Sequence, residues 1–153
     1  MRIIVVSDSH GDVFALRSVI QRQSAAAMLI HLGDGESDMR EVEGCLGLMR
    51  AVQLRGNCDL GSTAPASCVE FAGDKKIYCT HGYAEMVKYG FSVLEQKARE
   101  QGAVVALFGH THEPFYEYRE GLHLFNPGSL RQDDYGVVDF EGKSVVCIHM
   151  KIT

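Results

Sequence analysis

The sequence has no Cys-x-x-Cys pair, no cluster of Lys or Arg, no internal repeat or low-complexity stretch, and no apolar run of membrane-spanning length. Each absence removes a class of protein. The five cysteines, Cys45, Cys58, Cys68, Cys79 and Cys147, are odd in number and unpaired in spacing, which fits reduced thiols better than a disulfide framework. A formal net charge of −5 with no basic cluster argues against stable nucleic-acid binding, because phosphate backbones are gripped chiefly by grouped Lys and Arg. Met1 and Arg2 lead directly into the strand-like Ile3-Ile4-Val5-Val6. That leaves no room for a signal peptide, so a cytoplasmic location without a membrane partner is expected.

What is present is an ordinary globular composition, 46% hydrophobic and 23% charged over 153 residues, which suits one domain spanning 1–153. Through the first two-thirds, short apolar runs alternate with helical patterns, as βαβ units do. Strands are expected at 2–7, 28–31, 48–54, 67–72, 75–79 and 103–108, and helices at 13–23, 36–43 and 91–101. Asp12 is placed to cap the first helix, since Val13, Leu16, Val19 and Ile20 return to one face. Later, extended segments near 115–119, 122–125, 134–140 and 144–150 suggest antiparallel pairing, with Asn126-Pro127-Gly128 as a tight turn. The expected fold class is α/β, two sheets packed as a sandwich with helices on the outer faces.

Polar clusters follow several of these strands, where open α/β sheets place their ligands. They are Asp8-Ser9-His10-Gly11, Gly33-Asp34, Gly56-Asn57-Cys58-Asp59, Thr80-His81-Gly82 and Gly109-His110-Thr111-His112. Each is weak evidence alone. Together they repeat one device, a glycine that lets the backbone turn beside a side chain suited to a divalent ion. Mixed carboxylate and imidazole donors favour Mn, Fe, Zn or related ions over Ca or a thiolate zinc site.

In these motifs and their order the chain resembles the calcineurin-like metallophosphoesterase superfamily, in particular its small YfcE-type phosphodiesterase branch, over nearly its whole length. The resemblance implies a four-layer αββα sandwich of two mixed β-sheets flanked by helices. It also implies two divalent metal ions per chain, manganese first, with Fe, Zn, Ni or Co as alternatives. Asp8, His10, Asp34 and His112 would hold one ion, and Asp34, Asn57, His81 and His110 the other, with Asp34 bridging. Two divalent ions outweigh two aspartates, so the site would be cationic inside an acidic protein and suited to a small phosphate ester. A hydroxide shared by the ions would attack phosphorus in line.

One position departs from the superfamily pattern, because Cys58 stands where many relatives carry a His that reaches the phosphate. Cys58 is read either as a substrate contact or as a small buried filler. Asp59 is expected to cap the next segment or orient a ligand His. His31, His123 and His149 are read as structural, and Glu36, Asp38 and Glu41 as first-turn residues of a helix, with Glu36 close enough to Asp34 to border the site. Arg131 is read as a solvated arginine in preference to a contact with substrate phosphate. Tyr83, Tyr89 and Phe91 are assigned either to a pocket wall or to the core. The resemblance also leaves two other functions open. One is a scaffold subunit like that of the retromer complex, in which an active-site His is replaced, whereas His81 stands here. The other is a nuclease, for which the chain has no basic track. A homo-oligomer is compatible with the sequence.

Overall fold

The first strand, β1 (Arg2–Val6), is buried on both faces, and its side chains divide between two apolar clusters. The computed structural model describes all 153 residues. Ile3 and Val5 point into a cluster with Ile30, Leu32, Ile77, Leu107 and Phe125, whereas Ile4 and Val6 join Leu16, Val19, Ile20 and Val42. Alternation with period two therefore places one cluster between sheets and the other beneath helices.

The remaining elements are α1 (Val13–Arg22), β2 (Met28–His31), α2 (Glu36–Val42), β3 (Arg50–Gln53), β4 (Ser67–Ala72), β5 (Lys75–Thr80) and α3 (Ser92–Glu100), followed by β6 (Val105–Leu107), β7 (Pro114–Arg119), β8 (Leu122–Pro127), β9 (Asp134–Glu141) and β10 (Ser144–Lys151). One sheet has the order β10-β9-β1-β2-β3 and the other β4-β5-β6-β8-β7. Both are mixed: β1, β2 and β3 run parallel, as do β5, β6 and β8, while the flanking strands pair antiparallel. A third cluster, with Tyr78, Leu94, Ala98, Phe108 and Leu124, lies beneath α3. Three apolar interfaces separate four layers, the expected αββα order. No helix is long and apolar enough to cross a membrane.

The Asn126-Pro127-Gly128 turn needs correction. Asn126 and Pro127 complete β8, paired with Phe115 and Pro114, and the reversal begins at Gly128 with φ 86°. Pairing of β8 with β6 stops at Phe125, so Pro127 ends the strand where no ladder donor is required of it. Tertiary pairing here overrides the turn chemistry of the tripeptide.

Asp12 caps α1 as expected, accepting from the Ala15 N–H at 2.9 Å. Asp12→Ala should lower stability by about 1 kcal/mol, measured as a urea midpoint shift at unchanged slope, whereas Asp12→Asn should retain most of it.

Candidate functional site

Five of the polar residues lie just beyond the ends of parallel strands, on loops whose backbone is unusual. Asp8 and His10 follow β1, Asp34 follows β2, and His110 and His112 follow β6; these five have φ of 55°, 42°, 59°, 70° and 63°. Only eight non-glycine residues in the chain adopt positive φ. Their concentration here marks a place where the surrounding structure overrides local preference, a pattern typical of functional sites. Close approach adds a second constraint. A Cβ on Gly56 would fall on the Asp34 carboxylate, and one on Gly109 would fall on the Ser7 hydroxyl and crowd Asp8.

The side chains converge from both sheets. Asp8, Asp34 and His81 are buried, His10, His110 and His112 half-buried, and Asn57 and Cys58 exposed, so the site has a closed floor and an open mouth. Asp8 Oδ2 accepts from Ser7 Oγ at 2.6 Å and the His110 N–H at 3.1 Å. Its other oxygen, Oδ1, is buried without a hydrogen-bond partner. It faces Nε2 of His112 at 3.2 Å, of His10 at 3.5 Å and of His81 at 3.9 Å. Asp34 Oδ1 accepts from the Cys58 N–H at 2.8 Å, leaving Oδ2 at 3.3 Å from His81 Nε2 and 3.8 Å from His10 Nε2.

His81 defines the chemistry of this centre. Its Nδ1 lies 3.0 Å from the Leu32 carbonyl, which requires Nδ1 to be the donor. In the neutral ring Nε2 is then a bare acceptor, yet it lies 3.0 Å from Asn57 Oδ1, a second acceptor. A proton or a cation between them makes that contact favourable. Burial opposes charge on His81, but Asp34 and Asp8 outweigh it and raise its pKa. Burial likewise opposes ionisation of Asp34, but His81 and the Cys58 N–H hold it well below the carboxylate range.

Candidate ligand atoms gather in three groups within 4.8 Å: Asp8, His10 and His112; Asp8, Asp34 and His81; and His10, Asp34 and Cys58. The ring of His110 joins none of these groups; it stands edge-on to His81, with centroids 5.1 Å apart. Cys58 is exposed, which overturns the buried-filler reading, and burial together with the nearby Asp34 raises its thiol pKa. Asp59 neither caps its own next segment nor touches a histidine. Its carboxylate accepts from the N–H groups of Asp34, Gly35, Glu36 and Gly56, so it caps α2 from a distant loop and ties the Asp34 loop to the Asn57 loop.

Several supporting residues escaped the motifs. Asp38, buried at the start of α2, accepts from Ser9 Oγ at 2.5 Å and the Gly11 N–H at 3.0 Å. Asn126 donates to the Gly109 carbonyl and Thr111 Oγ1 and accepts from Gly128, steadying the His110–His112 loop. The structural readings of the other histidines stand. His123 meets Tyr116 and His149 the Asn126 carbonyl. Glu36 pairs with Arg40 and lines a concavity with Cys58 and Asp59, and Arg131 is exposed. Phe91 packs on Phe108 and Phe115, whereas Tyr83 and Tyr89 line a cavity beside His110.

A model of the calcineurin-like phosphoesterase superfamily domain matches residues 1–151. The chain is 33% identical to the Bacillus subtilis protein named probable metallophosphoesterase YsnB, over 86% of this chain and 76% of that protein. It is 27% identical to phosphodiesterase YfcE of Escherichia coli K12, covering 97% of this chain and 93% of that one. Among solved structures, a Streptococcus pneumoniae protein described as a predicted phosphoesterase superposes with TM-score 0.85 at 28% identity, over 99% of this chain and 89% of the other. Vps29 of Chaetomium thermophilum, TM-score 0.75 at 17% identity over 97% and 96%, shares the fold alone.

His31 lies beneath the site, fully buried. The Gly33 N–H donates to its Nδ1 at 3.1 Å, so Nε2–H faces Ser9 Oγ at 2.9 Å. Burial lowers its pKa to about 4, below the unfolded value of about 6.5, so the unfolded chain takes up the proton first. Its stabilising contribution is complete above about pH 6.5 and is lost as pH falls toward 4, by about 3 kcal/mol. Urea midpoints across this range, in chelator, should fall more steeply for the native chain than for His31→Gln. Parallel slopes would show that His31 does not titrate on unfolding.

Proposed function

This chain belongs to the calcineurin-like phosphoesterase superfamily, and from that premise we propose that it is a dinuclear metal-dependent phosphodiesterase acting on small phosphate esters. The observation that carries the reading is the excess of buried lone pairs: Asp8 Oδ1 has no donor, and His81 Nε2 faces Asn57 Oδ1 at 3.0 Å. That donor set fits divalent cations. Asp8, His10, Asp34 and His112 would hold one ion, and Asp34, Asn57, His81 and His110 the other, with manganese the first choice. When bound, the ions would supply Lewis acidity, lower the pKa of water and neutralise phosphate oxygens.

The chain's own residues do the positioning. Asp34 lies between the two sets, its Oδ1 fixed by Cys58 N–H and its Oδ2 directed at both His10 and His81. Asn57 directs its carbonyl oxygen at His81 and its amide group toward Cys58 at the open mouth, where that amide can donate to a phosphate oxygen without adding negative charge. Desolvation and the nearby Asp34 raise the Cys58 pKa and make its thiol a weaker acid, so it is a poor donor to a departing alkoxide. The acidic chain supplies no basic track for a polymer, which favours a small diester over a nucleic acid. The likeness to Vps29, at 17% identity, is one of fold alone, and the metallophosphoesterase reading is the better supported.

Exhaustive chelation should abolish hydrolysis of bis(p-nitrophenyl) phosphate, and Mn should restore it. Asp34→Asn should lower kcat/KM on the order of 100-fold or more, because one substitution weakens both ligand sets. A rigorously demetallated sample that kept its rate would sink the metal-dependent reading.

The weak acid at position 58 should make the rate depend steeply on the leaving group, with aryl esters cleaved far faster than alkyl ones. Cys58→His should raise kcat/KM for alkyl esters more than for aryl esters, and Cys58→Ser should alter the ratio little. An equal effect of Cys58→His on both classes would show that this position does not govern leaving-group protonation.

A further inference from the structure

Between β5 and α3 the chain crosses beside the candidate site, and residues 83–89 divide sharply between anchored and exposed side chains. Val87 is buried in the cluster beneath α3. Glu85, also buried, accepts from Thr80 Oγ1 at 2.9 Å, Tyr78 Oη at 3.2 Å and Lys97 Nζ at 3.3 Å. Tyr83, Met86 and Tyr89 are 62%, 59% and 87% exposed. Met86 is held at φ 55°, a left-handed conformation that an ordinary side chain rarely adopts. Anchored at Glu85 and Val87, the segment cannot turn these side chains inward without breaking buried contacts.

Single exposed apolar residues need no explanation, but a group gathered around one concavity does. Tyr83, Met86 and Tyr89 border a cavity of about 620 Å³ whose wall also includes Asn57, His110 and Lys88. That volume is within the range of small-molecule sites. The Tyr83 ring stands edge-on to His110, with centroids 5.4 Å apart and an interplanar angle of 89°. A molecule in this cavity therefore touches two residues of the proposed centre and three large apolar side chains at once. Tyr rings and a Met thioether offer favourable contacts to a flat π-system beyond simple area burial. Lys88 supplies a cation on the same wall.

We infer that this cavity is a subsite for the nucleobase of a nucleoside phosphodiester, formed by Tyr83, Met86 and Tyr89 beside Asn57 and His110, with Lys88 facing a second anionic group. The inference deepens the phosphodiesterase reading and rests on it for the position of the phosphate. Stacking on aromatic side chains tolerates any base, so the subsite selects for a nucleoside without selecting a sequence.

The test uses two diesters that share a leaving group, p-nitrophenyl thymidine 5′-phosphate and p-nitrophenyl ethyl phosphate, with the Mn-loaded full chain. The nucleoside ester should have a KM lower by about tenfold, the scale that one stacked base supports. Tyr89→Ala and Met86→Ala should each narrow that KM ratio with a smaller effect on the kcat ratio, and Tyr89→Phe should preserve it. Calorimetric binding of thymidine 5′-phosphate and ethyl phosphate should show the same preference without turnover. Equal KM values and equal affinities would overturn the subsite while leaving the phosphodiesterase reading intact. Absence of hydrolysis of either ester would overturn that reading, and calorimetry would then decide the subsite alone: a preference for thymidine 5′-phosphate lost in Tyr89→Ala upholds it, and none overturns it.

Discussion

Lone pairs from both sheets are forced together in a buried space where protein donors are too few to satisfy them. Asn57 Oδ1, Asp34 Oδ2 and Asp8 Oδ1 lie 3.0, 3.3 and 3.9 Å from His81 Nε2. A buried acceptor without a donor costs about 1–3 kcal/mol, and more when charged. In the protein alone, the hydrogen bond to Asp34 and the charges of Asp8 and Asp34 raise the pKa of His81 despite its burial, which favours a proton there. A divalent cation satisfies more of these acceptors than one proton, because it accepts several donor atoms in one position.

Such a centre persists only where the frame leaves it no way to relax. Gly56 and Gly109 bring backbone against the two carboxylates where no Cβ fits. Asp59 gathers four N–H groups from the Asp34 and Gly56 loops, and Asn126 fixes the loop after β6. Five residues of the centre are held at positive φ, each at a cost of roughly 1–3 kcal/mol. The three apolar clusters on either side of the two sheets provide the stability against which that strain is maintained. Strain and packing are thus parts of one arrangement, with the clusters fixing strand ends and the strand ends fixing the side chains.

The sandwich was legible because its strands are buried in patterns of period two or in continuous apolar runs, and its polar clusters follow the strands directly. Ser9, Asp38 and Asn126 were not legible as supports, because their partners lie 29, 27 and 17 residues away in their key contacts and no local pattern announces them. Asp59 shows the same limit: its charge suited capping, but the helix it caps precedes it in sequence. Asn126-Pro127-Gly128 failed for the opposite reason, since strong local turn chemistry yielded to pairing with β7. For Cys58, composition offered no means to separate a buried thiol from an exposed one, and only the packing of the Asn57 loop decides it.

The centre also couples the two halves of the sandwich. Asp8, His10, Asp34 and Asn57 arrive from the β1–β2–β3 sheet and His81, His110 and His112 from the β5–β6–β8 sheet, so neither sheet alone can complete it. A cation held by both ligand sets would bind the native arrangement and not the unfolded chain, and would therefore stabilise the contact between sheets by mass action. Residues 83–89 stand apart from this coupling, since Glu85 and Val87 anchor them to the β5–α3 side only. Chemistry and recognition consequently sit on differently constrained parts of the fold. Changes at Met86 or Tyr89 alter an exposed wall without disturbing the strand ends, while changes at the strand ends disturb both sheets together.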